Sequence, residues 1–168
     1  SAQCVNLTYN AVKNYFLGLF LILPLYAHAD IEGIDTYWKI VSRSVKEGDF
    51  KSYKATCHPD AVLVSGSKKV SYPLSIALKR WKKEFDDTKA GKRKSSASFR
   101  FQKRFRDATT AFESGILLYE FSTDDGKSGK DYVFLDALLV KEKGKWLIMM
   151  EYQKGPATKE DWERLKPQ

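Results

Sequence analysis

"VFLDALLVKEKGKWLIMMEYQ", residues 133–153, decides the fold. Lys143-Gly144 at its centre reads as a tight turn between two apolar runs, the pattern of an antiparallel hairpin. Two acids, Asp136 and Glu151, interrupt those runs. A carboxylate on a strand that packs against a core needs a partner or a cavity, so both residues bear on function as well as on fold.

Upstream the same period of two continues, with strands predicted at 97–106, 110–122 and 131–141, and 145–153 completing a four-stranded meander. Before residue 90 the period is helical. Ile34, Tyr37, Trp38, Val41 and Val45 recur by threes and fours within 30–47, and Gly48 stops the helix. Asp49 caps a short second helix in "FKSYKATC". "HPDAVLVSGSKKVSYP" reads as a turn, a short strand at 61–64, a glycine turn and a second extended piece. Pro73 opens a third helix, "LSIALKRWKKEFDD", with Leu74, Ala77, Leu78, Trp81 and Phe85 on one face. Thr158 and Asp161 are spaced as a capping box for a short helix within the tail, 156–168.

These elements, without a repeat or an internal linker, predict one α+β domain over 30–155. Three N-terminal helices cover one face of a strongly curved antiparallel sheet. Such a sheet leaves a cavity under its helices, a place where small ligands bind. At 168 residues, 43% hydrophobic and 14% aromatic, the chain can build one real core, and disorder is excluded as a description of the whole.

The beginning of the chain has a different character. Lys13, an apolar run from residue 16 to 26 and Ala27-His28-Ala29 match a secretory leader with cleavage after Ala29. The run holds Pro24 and falls short of the roughly 20 residues that span a bilayer, which argues against stable membrane insertion. Residues 12–29 are thus expected to be the leader, with Val12 as initiator and 1–11 upstream read-through, and the domain to be secreted or periplasmic. Its removal takes one lysine from 29 basic residues and none of the 21 acidic ones. It also takes Cys4, leaving Cys57 without an internal disulfide partner. Cys57 reads as a packing residue and His58 as an exposed turn residue. One Cys and one His, adjacent in sequence, do not make a zinc site. No phosphate-binding glycine loop or nucleophile elbow is present, and no cofactor is expected.

Three stretches in order carry a resemblance: "EGDF" (47–50), "HPDAVLV" (58–64) and "LDALLVKEKGKWLIMMEY" (135–152). Over 30–153 the chain resembles the nuclear transport factor 2-like superfamily, the cone-shaped fold shared by SnoaL-like cyclases and ketosteroid isomerases. The fold hosts enzymes, carriers and assembly domains alike. The resemblance implies an oxyanion-binding aspartate at Asp136. It also implies a basic aspartate and an oxyanion tyrosine at positions that hold Ser65 and Val41 here, so isomerase chemistry is not expected. Homodimerisation through the sheet is a further implication.

Period-two alternation from Asp136 sends Tyr132 and Phe134 into the cone with it, and the resemblance places Met149, Glu151 and Gln153 inward. Asp136 and Glu151 are therefore the candidate catalytic acid–base pair, one of them protonated near neutral pH because two close carboxylates in an apolar cavity cannot both ionise cheaply. Trp38, Tyr53, Trp81, Arg100, Tyr132, Phe134 and Met149 are the expected pocket wall. Against this stands a plainer reading, in which Arg100 or Lys103 neutralises one acid and Glu151 lies at a solvated rim.

Residues 89–106 carry eight basic side chains and no acid, with Arg100, Arg104 and Arg106 expected on one strand face and Phe99, Phe101 and Phe105 on the other. Such a surface suits nucleic acid. The expected compartment favours a solvated face, an anionic envelope surface or an oligomer interface instead. The function expected is binding of a small, largely apolar molecule in the cone, with cyclase, isomerase or hydrolase-type acid–base chemistry as one version. A non-catalytic binding or oligomerisation module is the alternative.

Overall fold

The computed structural model describes residues 26–167, with side chains from Gly33 onward. The expected leader lies outside these residues except for its last four, which form the first turn of α1 (Tyr26–Glu47). α2 (Phe50–Lys54), β1 (Cys57–Ser65), β2 (Val70–Pro73) and α3 (Leu74–Lys89) follow. The long strands β3 (Arg93–Arg106), β4 (Thr110–Thr123), β5 (Ser128–Glu142) and β6 (Lys145–Pro156) come next, and then α4 (Lys159–Arg164).

All six strands form one sheet in the order β2-β1-β6-β5-β4-β3. The sheet is mixed where a wholly antiparallel one was expected: β1 runs parallel to β6, with Leu63 opposite Glu151 and Ser65 opposite Gln153. A strand before the helical crossover and another after the meander meet in the same direction, which no local pattern in either records.

On α1 the predicted face is the buried one, and Ile34, Tyr37, Trp38 and Val41 join Leu63, Leu135, Ala137 and Leu139 in the main core. Gly48 ends the helix in a Schellman motif. Its own amide donates to the Val45 carbonyl at 3.3 Å, and the Asp49 amide donates to the Ser44 carbonyl at 2.9 Å. The left-handed φ of 67° suits glycine, and so does the space: a Cβ there would lie 2.4 Å from the Lys89 backbone nitrogen, where α1 and α3 converge. Asp49 then caps α2, accepting from the Ser52 amide at 3.0 Å.

Irregularities in the strands set which side chains enter the cone. The β3–β4 register shifts between Phe101 and Lys103, leaving Gln102 as the bulge residue. Phe99 and Phe101 pack inward on Trp38, with ring centroids at 4.4 and 4.9 Å. Beyond the bulge the alternation inverts, so Arg104 turns inward and Phe105 is exposed. The arginines of β3 therefore do not share one face as expected. A second shift, between Leu138 and Leu139, leaves Met149 unpaired on β6.

The outer face of the sheet carries its own cluster, Ile116, Leu118 and Trp162, with Tyr132 and Phe134 against it. α4 is held there by the Thr158–Asp161 capping box and by Arg100, which donates to the carbonyls of Trp162 and Leu165, each at 3.0 Å, and lies over the Trp162 ring.

Candidate functional site

Between the helices and the inner face of the sheet lies a cavity of about 300 Å³. Tyr37, Trp38 and Val41 come from α1, Tyr53 from α2, Trp81 and Phe85 from α3, and Phe99, Leu117 and Leu135 from the sheet. Aromatic edges build the wall, with Tyr53 centroids 4.9 Å from Phe85 and 6.3 Å from Trp81.

Glu151 lines this cavity and is 9% exposed. Its neighbours on both flanking strands are apolar, Leu63 on β1 and Ala137 on β5. Among the described residues its one hydrogen-bond partner is Gln153, whose Nε2 donates to Oε1 at 2.7 Å. Burial raises its carboxyl above the ordinary range, and the Gln153 hydrogen bond opposes the rise only in part. Burial likewise pushes the Tyr37 and Tyr53 hydroxyls well up and the Cys57 thiol up to about 12. Cys57 is therefore a protonated thiol, donating to the Tyr53 carbonyl at 3.6 Å, and no thiolate nucleophile.

Of the expected site residues, Trp38, Tyr53, Trp81 and Glu151 meet at the cavity. Asp136 does not. It lies on the outer face, where Lys154 Nζ donates to its Oδ1 at 2.8 Å and approaches Ser114. The inward residues of β5 are Val133, Leu135, Ala137 and Leu139, because the burial of two leucines and an alanine against α1 outweighs that of one acid and its flanking residues. Tyr132 and Phe134 share the outer face with Asp136, Arg100 is bound to α4, and Met149 sits in the bulge, so none of these lines the cavity. The acid–base pair expected from Asp136 and Glu151 does not assemble.

A second buried acid escaped the sequence reading. Glu113, 1% exposed, accepts from Trp38 Nε1 and from Arg104 Nε, and Arg104 also pairs with Asp35 at 2.7 Å. This network fixes Trp38 in the cavity wall from behind. Its signal was faint: Glu113 shares the inward parity of Ala111, Leu117 and Tyr119, but its partner was one parity away until the Gln102 bulge inverted β3.

At the mouth, Tyr119 donates to Glu84 Oε2 at 3.1 Å and Arg93 approaches both, while Asp131, opposite Tyr119 in register, is exposed. His58 lies at the far edge, its Nε2 at 2.9 Å from Glu142 Oε1. Among the described residues no cluster of three His, Cys, Asp or Glu could hold a metal, and no helix is long and apolar enough to cross a membrane.

No family model and no curated protein matches the chain. Solved structures do match, including an NTF-2-like protein of unknown function from Shewanella oneidensis (TM-score 0.55, 15% identity, 73% of this chain and 97% of that one). The chain has the nuclear transport factor 2-like fold. A conserved protein from Planctomyces limnophilus aligns with TM-score 0.63 and 13% identity over 74% of this chain and 94% of that one. A putative calcium/calmodulin-dependent kinase II association domain from Exiguobacterium sibiricum aligns at 0.60 and 12%, over 77% and 95%. The nuclear transport factor 2-like fold thus accounts for the cone and for the place of its cavity, and identities this low carry nothing further.

One consequence of the Glu151 environment is measurable. The fold holds the Glu151 proton more tightly than the unfolded chain does, so the associated stability is complete below the unfolded carboxyl range and is lost as pH rises through the folded value. Tyr37, Tyr53 and Cys57, which face it from α1, α2 and β1, stay protonated over that range. Glu151→Gln is expected to gain on wild type by on the order of 1 kcal/mol between pH 4 and pH 8. Urea midpoints of the two proteins that move in parallel with pH would contradict it.

Proposed function

We propose that this nuclear transport factor 2-like domain is a binding module for a small, largely apolar molecule that enters the cone and meets Glu151 at its inner end. The observation that carries the reading is a buried carboxyl inside an aromatic-walled cavity, with Gln153 its one hydrogen-bond partner among the described residues. A core assembled for stability alone would have an apolar residue there, because burying a carboxyl costs several kcal/mol without full pairing. At about 300 Å³ the cavity stands at the lower end of small-molecule sites.

Binding is favoured over acid–base catalysis because Glu151 is the one buried carboxyl among the described residues that line the cavity; Glu84 and Asp131 lie at its mouth, Glu84 beside Arg93 and Tyr119 and Asp131 exposed. Asp136 is engaged with Lys154 on the other face, and Tyr37, Tyr53 and Cys57 are held protonated near neutral pH. Ser65 and Val41 supply neither a base nor a hydroxyl donor where the isomerases have them.

Titration of a panel of single-ring and two-ring aromatic compounds, followed by the fluorescence of Trp38 and Trp81 in the cavity wall, tests this. Saturable binding is expected at micromolar to millimolar concentration, lost in Ala97→Phe, which fills the cavity from β3. Binding that survives Ala97→Phe in a folded protein, or none by any compound, would leave the second reading. In that reading the fold serves assembly, in keeping with the similarity to the Exiguobacterium protein, itself described as a putative association domain.

A further inference from the structure

Resting on the binding reading above, we infer that the cavity takes an organic cation, its ammonium group against Glu151 and its apolar body among Trp38, Tyr53, Trp81 and Phe99.

Charge sign is the first argument. The chain carries 29 basic and 21 acidic residues, yet the charged side chains lining the cavity are Glu84, Asp131 and Glu151, with no Lys or Arg among the described lining residues. In a basic protein a lining whose only charged side chains are acids is a selective feature, and it favours cations over anions, at the mouth through Asp131 and within through Glu151. Arg93, a basic group at the mouth, does not line the cavity and is held at its rim, 3.6 Å from Glu84 Oε2. Its guanidinium lies 4.0 Å from the centroid of the Phe121 ring, its Nε donates to Ser95 and its terminal nitrogen reaches Tyr119.

Hydrogen bonding is the second argument. Gln153 satisfies Oε1 of Glu151, while Oε2 has no donor among the described residues. An ammonium brings several donors and a full opposite charge, and so compensates a buried carboxylate far better than a neutral group can. The Tyr37 and Tyr53 hydroxyls, both protonated, can accept from the same head group. The aromatic lining supports the same reading: Trp38, Tyr53, Trp81 and Phe99 come from α1, α2, α3 and β3, and aromatic rings attract a cation through their quadrupoles as well as burying its carbon body.

Binding of the cation also requires an ionised Glu151, and burial keeps the free carboxyl protonated beyond the usual range. A proton therefore leaves as the ammonium arrives, and affinity rises with pH until Glu151 is ionised in the free protein as well.

Three probes of one shape test the inference on the wild-type chain by titration calorimetry from pH 5 to 8: 2-phenylethylammonium, 2-phenylethanol and 3-phenylpropionate. The ammonium is expected to bind at least tenfold more tightly than the alcohol, with the propionate weakest. Its affinity should rise from pH 5 until Glu151 is ionised in the free protein, and at pH 5 buffers of different ionisation enthalpy should reveal proton release. Glu151→Gln is expected to bring ammonium and alcohol to within threefold of each other. The alcohol or the propionate binding as tightly as the ammonium would overturn the cation assignment and leave the binding reading standing. No binding by any probe would overturn both. Should Glu151→Gln fail to fold, proton release in the wild type at pH 5 still decides, because a cation that binds there without releasing a proton is not paired with Glu151.

Discussion

Arg104→Met is expected to lower the stability of the domain by about 3–5 kcal/mol, the usual cost of leaving a buried charge without its partner. Glu113 is 1% exposed, and in the variant it would keep only Trp38 Nε1 as a donor. Asp35 would lose its 2.7 Å partner as well. Urea denaturation measures the loss. Adding Glu113→Gln to Arg104→Met should restore most of it, since the amide oxygen still accepts from Trp38 and the one charge left without its partner, Asp35, is partly exposed. A loss below about 1 kcal/mol in the single variant would mean that solvent reaches Glu113 and that the network behaves as a surface pair. The effect extends to function through geometry. Trp38 packs on Phe99 and Phe101 on one side and forms the cavity wall on the other, so loosening the network blurs the wall.

Gly48→Ala is expected to cost about 2–4 kcal/mol, from a left-handed backbone that L-residues resist and from overlap with a neighbouring helix. Its added Cβ would lie 2.4 Å from the Lys89 nitrogen and 2.5 Å from the Phe85 carbonyl oxygen, both backbone atoms that cannot swing aside. Gly91→Ala separates the two causes. Gly91 has a φ of 75° and nothing within 4 Å of the added Cβ, so it isolates the backbone contribution, about 1 kcal/mol. Equal losses at the two positions would show that α1 and α3 part easily. The expected difference says that they are wedged together, and both helices line the cavity.

The helical faces were legible because their period is local. Ile34, Tyr37, Trp38, Val41 and Val45 announce α1 without reference to the rest of the chain, and Gly48 announces its end. The hairpin around Lys143-Gly144 was legible for the same reason, and its turn takes the two positive φ values, 48° and 77°, that such a sequence favours. Strand facing was less secure. A period of two gives each side chain a face only relative to its neighbours, so one acid read as inward at Asp136 carried Tyr132 and Phe134 with it to the wrong side.

What the sequence by itself determined is therefore the order and kind of the elements and the hairpin that anchors the sheet. The tertiary structure alone decided the rest: the parallel union of β1 with β6, the outer place of Asp136, and the meeting of Glu113 with Arg104 and Trp38. The physical reason is that bulges and long-range pairing set which face a strand residue takes. The Gln102 bulge reverses the parity of β3, and the Met149 bulge lets Ile148 and Glu151 enter the same cavity although they stand three positions apart. Neither bulge has a local residue signature, because each is chosen by the competition of whole strand faces for burial.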